Sequence, residues 1–498
     1  MEKYLLAHDL GTSGNKATLF AADGTLVKSA TEAYDTEYTN GNWAEQNPED
    51  WWNAVCLSSK KLLDGVDTGE IACVAFSGQM MGCLCVDDKG NPLRNHILYC
   101  DQRSEAETDI LIDKLGADEI YRITGHRPSA SYAVEKLMWV KNNEPDIYAK
   151  TAKMLNAKDY MNFRLTGRMV TDHNDASGAN AFDLGSLSWS DKIIDAADVE
   201  REMFPEAVPS VEIIGTITKA ASAATGIPEG VPVAAGAGDG GCATVGAGSV
   251  KPGATYCYLG SSSWISTTST APIPDAEMKT FTWAHPVPGF YQPCGTMQTA
   301  GASYAWLRDQ LAGGGAYEDI NKIMAEAPAG SNGLMFLPYM LGERSPRWNP
   351  DAKGAFIGLG LETKQSDIYR SVLEGVSMNL DIILKVMQAG IKIDDILLIG
   401  GGAKGALWRQ ILADIFGIPV KVPQYLEEAT SMGAAIIGGV GCGLFSDFGA
   451  AERFVRVTGT TKPIAANSAV YDRIKPIFDK SYTSLESSGV FDDIAGLG

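Results

Sequence analysis

Residues 4–30 read YLLAHDLGTSGNKATLFAADGTLVKSA, and this stretch decides the fold. YLLAHDL is an apolar run, GTSG is a tight turn, NKATLFA is a second strand, and Asp23-Gly24 forms a further turn before TLVKSA. A related pattern returns at residues 254–270, where the strand ATYCYLG, the small polar turn SSS and the strand WISTTST follow one another. The repetition predicts two domains of one topology, each starting with a hairpin turn that faces phosphate.

The rest of the chain alternates between strands and helices. IACVAFSGQ (71–79) and DDILLIGGG (394–402) are typical of buried strands. Helical periodicity is present in YAVEKLMWVKNN (132–143), YRSVLEGVSMNLDIILKVMQAG (369–390) and LWRQILADIFG (407–417). This alternation predicts an α/β architecture in which helices flank mixed sheets.

The chain of 498 residues is too long for one compact core, which favours two large domains. A Pro/Gly turn, SVKPG, follows a small-residue helix at residues 249–253. We therefore place the domain boundary near Val250, giving an N-terminal domain 1–250 and a C-terminal domain 251–498.

Composition and charge exclude several classes of protein. A formal net charge of −20 argues against nucleic acid or an anionic membrane surface as partner. No stretch approaches the roughly 20 apolar residues that span a bilayer, and the first residues make a poor signal peptide. The nine cysteines show no paired spacing, so we expect them to be reduced and the protein to be cytoplasmic.

Asp9 is the first candidate functional residue. It ends a strand and is followed by Leu-Gly-Thr-Ser-Gly. A carboxylate there can hold Mg²⁺ or its water, while glycines and hydroxyls let the backbone approach phosphate oxygens, and Lys16 can add a point charge. The alternative is a plain hairpin with a turn aspartate. A Walker-type P-loop is excluded because no GxxxxGK[ST] occurs.

Asp239 lies in VPVAAGAGDGGCATVGAG (231–248), between two groups of glycines at a strand-to-helix junction. It could be only a helix N-cap. We favour a general base, because glycines on both sides leave room for a substrate to reach the carboxylate.

Glycines at two further positions are candidates for contact with a nucleotide. Gly400-Gly401-Gly402-Ala403 ends a strand and opens a helix, where a flat adenine or ribose can lie against the backbone. Gly301, in MQTAGASYAWLRD, also stands at a predicted helix start. An ordinary strand-to-helix turn explains either pattern equally well.

Together these motifs resemble the FGGY carbohydrate kinases, most closely the xylulokinase branch. The resemblance covers nearly the whole chain. Its motifs are AHDLGTSG (7–14), WAEQNPEDWW (43–52), FSGQMMG (76–82), ILYCDQRS (97–104), TDHNDASG (171–178), AGAGDGG (235–241), FLPYMLGERSPRWNPDAKGAFIGL (336–359), VLEGVSMN (372–379) and LLIGGGAKGALWRQILADIFG (397–417).

The resemblance implies two domains of ribonuclease-H-like, actin/hexokinase-type fold, with ATP, Mg²⁺ and a small sugar meeting in a catalytic cleft between them. Asp239 matches the family's catalytic base and Asp9 its metal-associated carboxylate. The positions that match nucleotide-binding residues are Gly11, Thr12, Ser13, Lys16, Ser261, Ser262, Gly301, Gly402 and Ala403. Met80 and Met81 match the pair of residues that contacts substrate in the family. Asp239 also matches a substrate-binding position, and Arg103 lies in a segment that borders the sugar pocket.

Two departures from the xylulokinase pattern leave the sugar open. Gln-Met-His-Gly is replaced by Gln79-Met80-Met81-Gly82, and the asparagine that commonly follows the base is replaced by Gly240. The candidate substrates are therefore a ketopentose such as D-xylulose, or another ketose, polyol or sugar acid. An actin-like ATPase and a sugar sensor without catalysis are the alternatives from other classes. A monomer and a homodimer both remain open.

Overall fold

The computed structural model describes residues 3–497. The strands are β1 Tyr4–Leu10, β2 Gly14–Ala21, β3 Leu26–Ala33, β4 Glu37–Thr39, β5 Trp43–Gln46, β6 Ile71–Gly78, β7 Leu84–Val86, β8 His96–Ile97, β9 Lys153–Leu155, β10 Val170–Asp172, β11 Phe182–Asp183, β12 Ser188–Trp189, β13 Glu206–Val208, β14 Ile213–Thr216, β15 Pro232–Ala234, β16 Ala237–Gly238, β17 Thr255–Leu259, β18 Ser263–Thr267, β19 Phe281–Ala284, β20 Tyr291–Met297, β21 Met335–Leu337, β22 Ala355–Ile357, β23 Ile396–Ile399, β24 Val420–Pro423 and β25 Val457–Thr461.

The helices are α1 Pro48–Leu63, α2 Glu105–Leu115, α3 Ala117–Thr124, α4 Ala133–Asn143, α5 Pro145–Tyr148, α6 Ala157–Thr166, α7 His173–Ser177, α8 Asp191–Ala197, α9 Lys219–Thr225, α10 Asp239–Gly246, α11 Gly301–Trp306, α12 Tyr317–Met324, α13 Gln365–Gly390, α14 Ala406–Phe416, α15 Ala429–Gly441, α16 Ala451–Phe454, α17 Ala465–Ser487 and α18 Val490–Ala495. None of the helices among residues 3–497 is long and apolar enough to cross a bilayer.

Two large mixed sheets share one topology. The first contains the order β3-β2-β1-β6-β15, and the second contains β20-β18-β17-β23-β24. In each sheet the first two pairings are antiparallel and the next two are parallel. The predicted repeat is therefore real, and the ribonuclease-H-like, actin/hexokinase-type fold is confirmed.

Burial along the strands follows from their places in the sheet. The central strands β1 and β6 are buried along most of their length, because helices cover both faces of this part of the sheet. The edge strand β3 alternates between half-buried and exposed side chains. Gly24, in the turn before β3, has a φ of +89°, which favours glycine.

Helices α10 and α15 cross between the two sheets at backbone contact. A Cβ on Gly246 would lie 1.8 Å from the Ala429 oxygen, and a Cβ on Gly433 would lie 1.8 Å from the Cys242 oxygen. Side chains of α15 pack into the core of the first sheet with β1 and β6, whereas Ala243 and Ala247 pack against β17 and β23. Each domain thus supplies a helix to the other. The predicted boundary at Val250 falls between α10 and β17.

Candidate active site

Asp9 lies near the end of β1, where the two halves of the chain meet. Its Oδ1 accepts a hydrogen bond from Ser77 Oγ at 2.9 Å, and its Oδ2 accepts one from Thr430 Oγ1 at 2.6 Å. Ser77 is on β6, and Thr430 is in the first turn of α15. Burial raises the pKa of Asp9, although both hydrogen bonds oppose the shift. The carboxylate is therefore fixed in direction before any ligand binds.

The turn after Asp9 is held from behind by two polar side chains. Gln46 Nε2 donates to the Thr12 carbonyl at 2.6 Å, and the Tyr34 hydroxyl donates to the Gly11 carbonyl. Because these carbonyls are occupied, the accessible side of the turn presents Thr12 and the exposed Ser13. This arrangement suits an anion such as a phosphate.

Lys16, on β2, points across the domain boundary. Its ammonium lies 2.5 Å from Glu428 Oε2, in the residue before α15. The pair is partly exposed, so a phosphate group can compete with Glu428 for the ammonium.

The second hairpin turn lies beside the start of α11. The amide of Gly301 donates to the Gly260 carbonyl at 2.8 Å, and the amide of Ala302 donates to the Ser261 carbonyl at 3.0 Å. A Cβ on Gly301 would lie 2.4 Å from the Gly260 oxygen, and a Cβ on Gly402 would lie 2.6 Å from Leu259 Cγ. The predicted nucleotide residues of the second domain therefore cluster at the end of β17.

The glycine run after β23 combines a packed side and an open side. Ala403 is fully buried, so its side chain supports the turn from within. A Cβ on Gly401 would meet nothing within 4 Å. The backbone at Gly401 is therefore free to lie against a flat ligand, which the predicted adenosine site needs.

A cavity of about 220 Å³ opens between the domains next to Asp239. The residues that line it are Met80, Met81, Tyr99, Ser129, Ser131, Tyr132, Asp239, Gly240, Ser262, Ser263, Trp264, Phe281, Trp283, Gln292, Cys294, Thr296, Arg344 and Trp348. Three predicted sugar-site residues and one predicted phosphate-turn residue thus share one cavity. Six of the eighteen lining residues are aromatic, and aromatic side chains are common in small-molecule sites.

Asp239 is the first residue of α10, and its carboxyl is accessible from the cleft. Its Oδ1 accepts a hydrogen bond from the Gly240 amide at 2.7 Å. Desolvation by the surrounding protein raises the pKa of Asp239 to about 7, and the nearby Asp9 carboxylate contributes to this increase. Solvent in the open cleft counteracts part of the effect. A carboxyl poised near neutral pH is suited to accept a proton.

Two family comparisons decide the identity of the fold and the class of chemistry. Residues 4–246 match the N-terminal domain, and residues 255–442 the C-terminal domain, of the FGGY family of carbohydrate kinases. The chain belongs to the FGGY carbohydrate kinases. It is accordingly an ATP-dependent kinase that acts on a small-molecule sugar.

Relatives of this FGGY kinase carry different substrate names. The chain is 30% identical to a xylulose kinase of Bacillus subtilis strain 168, over 97% of each chain. It is 29% identical to a gluconokinase of the same strain, over 96% of this chain and 95% of the relative. A solved structure of ligand-bound xylulose kinase from Lactobacillus acidophilus superposes with a TM-score of 0.93 at 27% identity, covering 98% of this chain and 99% of that one.

Arg103 does not line the cavity, whereas Tyr99 of the same motif does, so the segment borders the cavity as predicted but the Arg103 side chain does not reach it. Its side chain is only 1% exposed, since Asp101 binds it through two nitrogens at 2.9 and 2.7 Å. Glu45 lies 2.7 Å from its Nη1, and the Trp43 ring centroid lies 3.9 Å from the guanidinium carbon. The sequence could not show that Asp101, two residues away, would bind the Arg103 guanidinium in the protein interior.

Arg344, rather than Arg103, is the positively charged side chain that lines the cavity of this FGGY kinase. Its Nε donates to Gln298 Oε1 at 3.1 Å. No Asp or Glu oxygen among residues 3–497 forms an ion pair with it within 4.0 Å. The carboxyl of the neighbouring Glu343 does not pair with the Arg344 guanidinium. It accepts hydrogen bonds from the backbone amides of Gln298 and Arg344 instead. Arg344 lies in the motif at residues 336–359, so a signal for it was present in the sequence.

Sequence reasoning also missed the aromatic walls and Gln292. Trp264, Phe281 and Trp283 lie on β18 and β19, in stretches that read as ordinary core strands. Only the pairing of β20 with both β18 and β19 brings them together, packed with Met80 in the wall of the cavity. No local pattern distinguishes such a wall from a core strand.

The site fits a nucleotide–metal complex on the chemistry of its donors. Among residues 3–497, no group of three or more His, Cys, Asp or Glu side chains could hold a metal by itself. Asp9 could nevertheless supply one hard oxygen ligand beside the two turns that are predicted to face phosphate. Mg²⁺ is commonly bound through one or two carboxylates together with substrate phosphates and water.

Proposed function

We propose that this kinase transfers the γ-phosphoryl group of ATP to a hydroxyl of a sugar in the cavity, with Asp239 as general base. The observation that carries the proposal is the shared cavity of Asp239 and Ser262. It places a carboxyl with a raised pKa beside the second predicted phosphate turn. The catalytic and binding roles given to individual residues below are part of this proposal.

The residues divide the work of an in-line transfer between them. The turns at Gly11–Gly14 and Gly260–Ser262 hold the phosphates, and Lys16 adds a cation once Glu428 is displaced. Asp9 would hold Mg²⁺, which supplies neutralisation of charge on the phosphates. Asp239 Oδ2 accepts the proton from the sugar hydroxyl as the hydroxyl oxygen attacks the γ-phosphorus, and the bond from that phosphorus to the β,γ-bridging oxygen breaks to release ADP. Because the transition state is loose, positioning and charge account for most of the acceleration.

A ketopentose such as D-xylulose, giving D-xylulose 5-phosphate, is the first candidate substrate. The full-length similarity to xylulose kinases supports it. Met81 and Gly240 lack the polar groups expected in that branch, so recognition of D-xylulose could be weaker by roughly 1–3 kcal/mol. Met81 has a φ of +66°, a conformation in which histidine is more common than methionine. A Cβ on Gly240 would meet only ordinary contacts, at 3.8 Å and beyond. Both positions can therefore accept the branch's residues.

A sugar acid such as gluconate is the second candidate, and Arg344 is the observation that favours it. A guanidinium without a carboxylate partner lines an otherwise largely apolar cavity. Arginine matches carboxylates through paired hydrogen bonds. The similarity to a gluconokinase is nearly as extensive as the similarity to the xylulose kinase.

One panel separates the two candidates. We expect ADP release in a coupled assay to be stimulated most, in kcat/KM, by either D-xylulose or D-gluconate among ketoses, polyols and aldonates. If the substrate is an aldonate, Arg344→Met should lower its kcat/KM by about 100-fold, and Arg344→Lys should restore part of it.

If the substrate is D-xylulose, Arg344→Met should have a smaller effect, and Met81→His with Gly240→Asn should raise kcat/KM for D-xylulose. Failure of every ketose, polyol and aldonate to stimulate ADP release would contradict the sugar-kinase proposal. A wild-type preference for D-xylulose that the double change does not improve would contradict our interpretation of the two departures.

We also propose that the enzyme works in the cytoplasm with Mg²⁺ as its cofactor. All nine cysteines are free, which suits a reducing compartment.

A further inference from the structure

The backbone carbonyl of Gly240, directly after the proposed base, is contacted from the second domain. Gln292 Nε2, on β20, donates to it at 3.1 Å, and the Tyr256 hydroxyl, on β17, lies 3.4 Å away. Thr244 Oγ1, one helical turn along α10, also donates to it at 2.8 Å. Strands of one domain thus hold the backbone that carries the carboxyl of the other.

Gln292 is itself held in one orientation. Its Oε1 accepts a hydrogen bond from Asn174 Nδ2 at 3.3 Å, and the same Nδ2 donates to the Ala284 carbonyl at 2.6 Å. Gln292 is 1% exposed and Asn174 is fully buried. With its oxygen and its nitrogen both in use, the Gln292 amide cannot rotate without losing two hydrogen bonds.

Asn174 is anchored in turn by a buried ion cluster. Its backbone amide donates to Asp172 Oδ2 at 3.0 Å, and Lys158 Nζ lies 2.9 Å from Asp172 Oδ1. Both Asp172 and Lys158 are fully buried. A Cβ on Gly241 would lie 2.3 Å from Asn174 Oδ1, so α10 packs directly on Asn174.

Because residue 240 is a glycine, hydrogen bonds from the second domain can limit the motion of its backbone. Gly240 has more backbone freedom than any other residue would have, and its amide is the group that donates to Asp239 Oδ1. Fixing the Gly240 carbonyl limits rotation of this residue, and so keeps its N–H directed at the carboxylate.

We propose that Gln292 is a positioning residue for Asp239, acting through the Gly240 backbone from the opposite domain. The inference rests on the proposed role of Asp239 as base. Its consequence is that the base is correctly oriented only when β20 is seated against α7 and α10. Domain arrangement and proton transfer are thereby linked through one side chain.

The test is Gln292→Met, which keeps length and removes both hydrogen-bonding atoms, with Gln365→Met as the matched control. Gln365 is exposed at the start of α13 and contacts Tyr369. We expect Gln292→Met to lower kcat by about 10- to 100-fold, with a smaller change in KM for the sugar. The acid limb of the kcat profile should move to higher pH, because the Gly240 N–H stabilises the ionised form of Asp239. Gln365→Met should match wild type.

A double-mutant cycle separates this inference from the proposed function. In the Asp239→Asn background, Gln292→Met should cost nothing further in kcat, because the group it positions has been removed. An equal fold-loss in both backgrounds, an unmoved acid limb, or a change confined to KM would overturn the positioning role. High activity of Asp239→Asn alone would instead overturn the proposed function.

A second variant keeps the test informative if Gln292→Met does not fold. Tyr256→Phe removes only a hydroxyl, and Tyr256 does not line the cavity. It should lower kcat several-fold and move the acid limb in the same direction. Wild-type kcat and an unchanged profile in Tyr256→Phe would count against the inference.

Discussion

At the scale of single residues, Asp239 and Arg344 are the two charged side chains that line the cavity. The carboxyl has a raised pKa because the surrounding protein partly desolvates it and the Asp9 carboxylate is nearby, although it stays accessible from the cleft. Among residues 3–497, the guanidinium is hydrogen-bonded at Nε alone, which leaves its outer nitrogens for substrate. A proton acceptor and a hydrogen-bond fork therefore face the same small volume.

The pH dependence of the reaction follows from the carboxyl. A general base must be ionised, so kcat/KM should rise with pH through the pKa of Asp239 and level off above it. We expect an acid limb above pH 4, where an unperturbed aspartate would place it, and at most near pH 7, because solvent in the cleft reduces the shift. Initial rates from pH 5 to 9 at subsaturating sugar measure it. A flat profile down to pH 5 would contradict the raised pKa or the role of Asp239.

Asp9 allows a test of the metal site at the same scale. Asp9→Ala should reduce turnover strongly and weaken its dependence on Mg²⁺, with ADP affinity less affected, because the variant loses a fixed oxygen ligand. Asp23→Ala is the matched control, since Asp23 is an exposed turn aspartate that accepts the Thr25 amide at 2.9 Å. Rates measured across a Mg²⁺ titration should distinguish them. An unchanged Mg²⁺ dependence in Asp9→Ala would make Asp9 a turn residue only.

At the scale of elements, the hairpins and the crossing helices determine the geometry of the site. The two hairpin turns were predictable, because apolar runs, glycines and hydroxyls recur in the same order at residues 4–30 and 254–270. The packing of α15 on the first sheet and of α10 on the second sheet was not predictable. Small-residue helices indicate close packing, but the sequence does not name the partner, and here the partners are about 190 residues apart.

The crossing of α10 and α15 predicts a large cost for one added methyl group. Gly433→Ala should lower the apparent Tm by more than about 4 °C, because its Cβ would lie 1.8 Å from the Cys242 oxygen and backbone must move. Gly360→Ala is the control, since a Cβ there meets nothing within 4 Å. Thermal unfolding of both variants decides it. Equal Tm values would mean that the helices separate easily.

At the scale of the whole molecule, the chain is two copies of one topology facing each other across the cavity. Motifs that lie within one stretch, such as those around Asp9 and Asp239, could be found in the sequence, and their roles could be proposed from it. Gln292, Trp264 and Trp283 could not, because strand pairing across the second sheet brings them to the cavity. Arg103 shows the converse, since its motif was found but Asp101 holds the Arg103 side chain away from the cavity.

Phosphoryl transfer by Asp239→Asn tests the central claim most directly. The measurement is ADP release at saturating ATP and saturating preferred sugar, with binding of both ligands determined separately. Asparagine keeps the shape and removes the basicity, so we predict a loss of kcat of about 10²–10⁴ with ligand binding largely retained. Retention of more than about a tenth of wild-type kcat would contradict the account.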